Sequence, residues 1–94
     1  MQNARSILRL PVTCERLGAP RSTVYRDISR GLLPPPVRLG QRSSGWPDDE
    51  IAAIVDARIA GKSEEEIREL VKRLVAARTA GSRSEFLAAG ASQG

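Results

Sequence analysis

The sequence has no histidine and a single cysteine, Cys14. Without histidine it lacks the commonest general base and nucleophile activator, and a zinc site of the usual kinds is not expected. One thiol closes no internal disulfide, so Cys14 reads as a small apolar side chain in a helix interface. Phe, Trp and Tyr occur once each. The core must therefore come from Leu, Ile, Val and Ala. No apolar run approaches the roughly 18 residues of a membrane span. The N-terminal stretch MQNARSILRL has no signal-peptide apolar segment. A phosphate-binding glycine loop is missing, as are carboxylates clustered in apolar surroundings. These absences argue against an enzyme, a cofactor and a metal centre, and for a cytoplasmic protein.

What remains is enough for one folded domain: 94 residues, of which 40% are hydrophobic. The net charge of +4 is unevenly spread. Residues 1–46 carry eight arginines (Arg5, Arg9, Arg16, Arg21, Arg26, Arg30, Arg38 and Arg42) against Glu15 and Asp27, a net charge of +6. Residues 47–94 carry seven basic and nine acidic side chains, a net charge of −2. The excess in the first half is wholly arginine, the side chain best suited to bidentate contact with guanine or phosphate.

The spacing resolves into short elements. Residues 1–7 read as a frayed start. Pro11 suits the first position of a helix over 11–17, with Cys14 and Leu17 on one face and Gly18 beyond its end. The stretch APRSTVYRDISRG reads as a second helix from Arg21 to Arg30, stopped by Gly31. Val24 and Ile28 define its buried side. Ser22, Arg26, Ser29 and Arg30 fall opposite, flanked by Arg21, Thr23 and Tyr25, with Asp27 towards the edge. Three prolines, 34–36, forbid helix. After them VRLGQRSSGW, residues 37–46, reads as a small antiparallel hairpin: Val37 and Leu39 alternate with Arg38, residues 40–43 turn, and 44–46 return. Gly40 and Gly45 ease the backbone around that bend, and Trp46 closes the hairpin onto the helices.

Pro47 and Asp48, Asp49 and Glu50 then mark a helix start. Ile51, Ile54, Val55 and Ile59 form its apolar stripe, and Gly61 ends it. Ser63 with Glu66 is a capping box. It opens an amphipathic helix to about residue 80, with Ile67, Leu70, Val71, Leu74 and Val75 at helical spacing. That stripe suits either internal packing or self-association. Residues 81–94 read as a flexible tail.

Two short helices joined by a tight glycine-containing turn make a helix-turn-helix, whose second helix can enter the DNA major groove, about 12 Å wide. A following hairpin tipped with Gln41 and Arg42 adds a wing. The fold class is mostly α with a small β-hairpin: a winged helix-turn-helix over 8–61, then the helix over 62–80.

The segment LRLPVTCERLGAPRSTVYRDISRGLLPPPVRLGQRSSGW resembles the AlpA family of small phage and prophage regulators, winged-helix proteins related to MerR-type DNA-binding domains and to phage excisionases. The resemblance rests on Leu10-Pro11, Gly18, RSTVYR, Gly31, LPPPVRLGQRSSGW and the acidic helix start after Trp46, and it covers about residues 8–60. Two positions depart from the family pattern. Pro20 stands where a serine often caps the recognition helix, and a tryptophan often found in the helix after the wing is replaced by Ile54 or Val55. The resemblance implies a bacterial or phage-encoded, nucleoid-associated regulator of a mobile element, or a recombination directionality factor that bends DNA and biases an integrase. It places the recognition helix on Arg21–Arg30 and the wing on Arg38–Ser44. The DNA-contacting residues expected are Arg21, Ser22, Thr23, Tyr25, Arg26, Arg30, Arg38, Gln41, Arg42 and Ser43. Partners implied are double-stranded DNA, further copies of the chain and an integrase or recombinase. A different reading makes helices 47–80 a protein-interaction adaptor or antirepressor.

Overall fold

The computed structural model describes the backbone of residues 5–93 and side chains as far as Thr79. In chain order the elements are β1 (Ile7–Leu8), α1 (Leu10–Leu17), α2 (Arg21–Ser29), β2 (Val37–Arg38), β3 (Ser44–Pro47), α3 (Asp48–Ile59) and α4 (Glu64–Gln93). The arrangement is a winged helix-turn-helix followed by a long helix. α1 ends at Gly18, whose φ of 64° only glycine adopts without strain. There the amides of Gly18 and Ala19 donate back to the carbonyls of Glu15 and Cys14. This tight exit lets α2 start three residues later, which is the turn of the motif.

The hairpin is part of a three-stranded antiparallel sheet in the order β1-β3-β2. Val37 faces Gly45 and Arg38 faces Ser44, as expected for the wing. On the other edge of β3, Ile7 faces Pro47 and Leu8 faces Trp46. Ser6 and Asp48 extend this pairing: Asp48 N–H donates to the Ser6 carbonyl at 2.8 Å and Ser6 N–H to Asp48 Oδ1 at 3.1 Å. The frayed start expected over 1–7 therefore does not extend to residues 5–7. A strand of two residues has no periodicity to read; it forms because β3 would otherwise leave an open edge.

β1 also explains Gly45. A Cβ there would stand 2.5 Å from Ile7 Cγ2 and 2.8 Å from the Leu8 carbonyl oxygen. The demand is close approach of another strand, not relief at the bend. Gly40 has open space around it, and neither glycine has a positive φ.

The core draws on β1, α2, the loop after it, β3, α3 and α4: Leu8, Val24, Leu32, Leu33, Trp46, Ile51, Ile54, Ala57, Ile67 and Val71 are buried together, and Leu10, Cys14 and Leu17 of α1 pack against them. Within α3 the expected stripe holds for Ile51 and Ile54, and Val55 packs at its margin. Ile59 departs from it and is 79% exposed, while Ala57 is buried. Eight residues advance a helix about 80° past its starting direction, enough to carry Ile59 off the face. In α4, Ile67 and Val71 are in the core and Leu70, Leu74 and Val75 pack against it, so this stripe is used within the fold. α4 continues to Gln93 rather than stopping near 80. The added segment contains no proline and is rich in Ala, Ser and other helix-compatible residues; its glycines cost only about 1 kcal/mol each.

The capping box forms as its spacing predicts. Glu66 N–H donates to Ser63 Oγ at 3.1 Å, and Ser63 N–H donates to Glu66 Oε1 at 2.9 Å. The Ser63 backbone amide, then its hydroxyl, and more weakly the charge of Lys62 hold the Glu66 carboxyl below its ordinary 4.5.

Two outcomes follow. Gly45→Ala is expected to cost about 2 kcal/mol by chemical denaturation, as overpacking displaces β1, while Gly40→Ala stays within about 0.5 kcal/mol. For Glu66 the folded value lies below the unfolded one. Its contribution is therefore fully present above the ordinary glutamate range and lost as pH falls through the folded value. An NMR titration will show the Glu66 midpoint rising in Ser63→Ala.

Candidate nucleic-acid interface

α2 is anchored on one side and open on the other. Val24 is fully buried and Ile28 packs against the core. Asp27 lies on this buried side, not at the edge expected from spacing. Its carboxylate accepts from Arg58 Nη2 of α3 at 3.2 Å, and Arg26 Nε is 3.9 Å away. Without Arg58, α2 would bury an acid with little compensation. The exposed side presents Arg21, Ser22, Tyr25, Arg26, Ser29 and Arg30, with Thr23 half-buried. Ser29 Oγ donates to the Arg26 carbonyl at 2.7 Å, so that hydroxyl is occupied along its own helix.

In the wing, Leu39 N–H donates to the Ser43 carbonyl at 2.8 Å and closes the turn. Arg38 Nη2 reaches the Gln41 carbonyl at 3.4 Å. Arg38, Gln41, Arg42, Ser43 and Ser44 line a shallow hollow of about 250 Å³ at the hairpin.

Helix and wing meet in a larger cleft of about 470 Å³ lined by Arg9, Leu10, Pro11, Cys14, Arg21, Tyr25, Arg42 and Ser44. Leu10, Pro11 and Cys14 give it an apolar side. Tyr25, 52% exposed, stands within it. Three of the expected residues, Arg21, Tyr25 and Arg42, are thus brought together from two elements. Ser22, Thr23, Arg26 and Arg30 do not line the cleft. Arg30 stands at the far end of α2, where its backbone carbonyl accepts from Arg68 Nε of α4 at 2.8 Å.

Arg9 was missing from the expected set. Its only sequence signal is an arginine two residues before the helix-starting Pro11; what matters is that the β1–α1 junction runs beside the cleft.

Charge pairing is uneven along the chain. Among the described residues, Arg9, Arg16, Arg21, Arg30, Arg38 and Arg42 have no carboxylate within 4.0 Å. Arg5 pairs with Asp49 and Glu50 and Arg26 with Asp27; in the second half Arg58, Arg68, Lys72 and Arg78 pair with acids, and Lys62 and Arg73, among the described residues, do not. Six of the eight first-half arginines are therefore without an acid partner among the described residues, and three of these, Arg9, Arg21 and Arg42, line the cleft between α1, α2 and the wing.

A family profile described as "Prophage CP4-57 regulatory protein (AlpA)" matches residues 6–59, more than half of the chain. The chain belongs to the AlpA family. AlpA proteins are a regulatory family, not an enzyme family. Over 55 residues the chain is 40% identical to an uncharacterised protein, ORF88, of Enterobacteria phage P4. That similarity covers 58% of this chain and 62% of the phage protein, so less than two thirds of the relative's length is spanned. No solved structure matches the chain significantly. The AlpA segment runs from β1 through α3 and so contains both walls of the cleft; α4 lies beyond it. Among the described residues no helix is long and apolar enough to cross a membrane.

Cys14, the one thiol, reports the cleft directly. A doubly anionic disulfide reagent is expected to label it faster at low salt than at high salt, and a neutral maleimide to show no such dependence, because screening weakens the field of Arg9, Arg21 and Arg42. In Arg42→Ala the salt dependence of the anionic reagent will shrink.

Proposed function

We propose that this AlpA-family protein is a sequence-specific DNA-binding regulator of a mobile element, with α2 in the major groove and the wing on the backbone or in the adjoining minor groove. The observation that carries the reading is the cleft joining α2 to the wing, whose Arg9, Arg21 and Arg42 have no acid partner among the described residues. Unneutralised guanidinium groups on one face are what phosphate binding by counterion release requires. Arg26 and Ser22, on the exposed side of α2, are assigned to base edges. Thr23 and Tyr25 are assigned to phosphate or base edges, and Arg21, Arg30, Arg38, Gln41, Arg42 and Ser43 to the backbone. Arg9 joins the backbone set.

A module this small covers little DNA. Several copies side by side, with bending of the duplex, fit the reading, and so does action beside an integrase as a recombination directionality factor. Footprinting separates the roles: protection at a promoter marks a regulator, and protection at an attachment site a directionality factor.

The test is affinity across a salt series with duplexes selected from a random pool. Affinity is expected to fall steeply with salt. Arg26→Ala loses about 1–3 kcal/mol for the selected site and relaxes preference at one position, whereas Arg42→Ala or Arg9→Ala weakens binding to all duplexes alike and lowers the salt slope by about 1. No binding to any duplex, or an affinity indifferent to salt, removes the reading.

A further inference from the structure

α4 lies outside the AlpA segment, yet it reaches both elements of the proposed DNA face through their backbones. Arg68 Nε donates to the Arg30 carbonyl at 2.8 Å, capping the C-terminal end of α2. Its stem runs over Gly31, where a Cβ would meet Arg68 Cγ at 3.7 Å. Arg78 Nη2 donates to the Pro35 carbonyl at 2.7 Å, in the proline run that leads into β2. The same guanidinium forks onto Glu50, with Nε to Oε2 at 2.8 Å and Nη2 to Oε1 at 2.7 Å. Glu50 is 2% exposed and sits in the first turn of α3, directly after β3. One arginine therefore fixes the strand-entry segment and the strand-exit segment of the wing to each other. Ten residues separate Arg68 and Arg78, about 15 Å along the helix axis.

We propose that α4 is a strap and that Arg68 and Arg78 are positioning residues: Arg68 sets the end of the recognition helix and Arg78 sets the base of the wing. The connection between the two DNA-facing elements is already held at Leu32, Leu33 and Pro34, which are buried, and α4 adds a restraint on either side of them, at the Arg30 and Pro35 carbonyls. A rigid helix gripping both carbonyls limits the remaining movement of the two elements before DNA arrives, and preorganisation of this kind lowers the entropic cost of binding. Lysine at 78 can reach the carboxylate but cannot hold carboxylate and carbonyl in one planar fork.

The strap's bearing on DNA rests on the function proposed above, but its structural content is tested without DNA. Hydrogen–deuterium exchange is measured on the full chain, with Arg68→Met and with the double variant Glu50→Gln/Arg78→Met. The Glu50→Gln change in the pair avoids stranding a buried charge. Arg68→Met is expected to speed exchange in the last turn of α2 roughly tenfold and to leave residues 37–46 unchanged. The double variant, by contrast, speeds exchange in residues 37–46 and leaves α2 unchanged. Arg78→Lys with Glu50 intact gives an intermediate wing response. A general loss of stability would instead raise exchange in all elements together. That result, or unchanged exchange in both segments, overturns the strap. Salt-series binding is run in parallel: both variants are expected to bind selected duplexes more weakly than the parent chain. Exchange confined to the two segments with no loss of affinity in either variant overturns the link to DNA. A parent chain that binds no duplex counts against the proposed function alone, and exchange still decides the strap.

Discussion

The indole N–H of Trp46 donates to the Pro34 carbonyl at 2.8 Å, and the ring is 1% exposed. Much of the fold depends on that contact. Trp46 lies in β3, between the two strands that flank it, and is directly opposite Leu8 of β1. Its bond to Pro34 draws the proline run onto the core, and that run delivers β2 to the far side of β3. The chain has few large side chains, so one indole closes a gap that several aliphatic residues would be needed to fill. Buried without its acceptor, the same indole would carry an unsatisfied donor.

Around this anchor the charges are sorted into two populations. Two ion pairs hold helices together: Asp27 with Arg58 joins α2 to α3, and Glu50 with Arg78 joins α3 to α4. Among the described residues Arg16 of α1, Arg21 of α2 and Arg38 and Arg42 of the wing have no acid within 4.0 Å, while Arg26 of α2 keeps Asp27 at 3.9 Å. With Arg26–Asp27 as the exception, the arginines of this face have, among the described residues, no internal ion pair to break when it meets an anion. That is the physical link between the packing of the helices and the reading of the α2–wing cleft.

The fold was largely legible because its signals are local. Gly18 and Gly31 mark helix ends, the Ser63–Glu66 pair marks a helix start, and the alternation around Arg38 with the glycine and serine turn marks the wing. Arg21 and Tyr25 were nameable from helical spacing, and Arg42 from its place at the tip of the hairpin. What stayed hidden is long-range. β1 is two residues long and exists only because β3 offers an edge. Gly45 is needed by Ile7 and Leu8, far away in the chain. Arg9 enters the cleft through the β1–α1 junction. Asp27 looked peripheral because its partner, Arg58, sits on another helix. Ile59 was misplaced on the stripe because an apolar residue was weighted above the helical angle.

The central claim is that α2 and the wing act as one surface. The most direct measurement is amide NMR of the protein titrated with a selected DNA duplex. The account predicts shifts concentrated at Arg9–Pro11, Arg21–Arg26 and Arg38–Ser44, appearing together at the same stoichiometry. Shifts confined to α3 and α4, with those three segments unmoved, would contradict it.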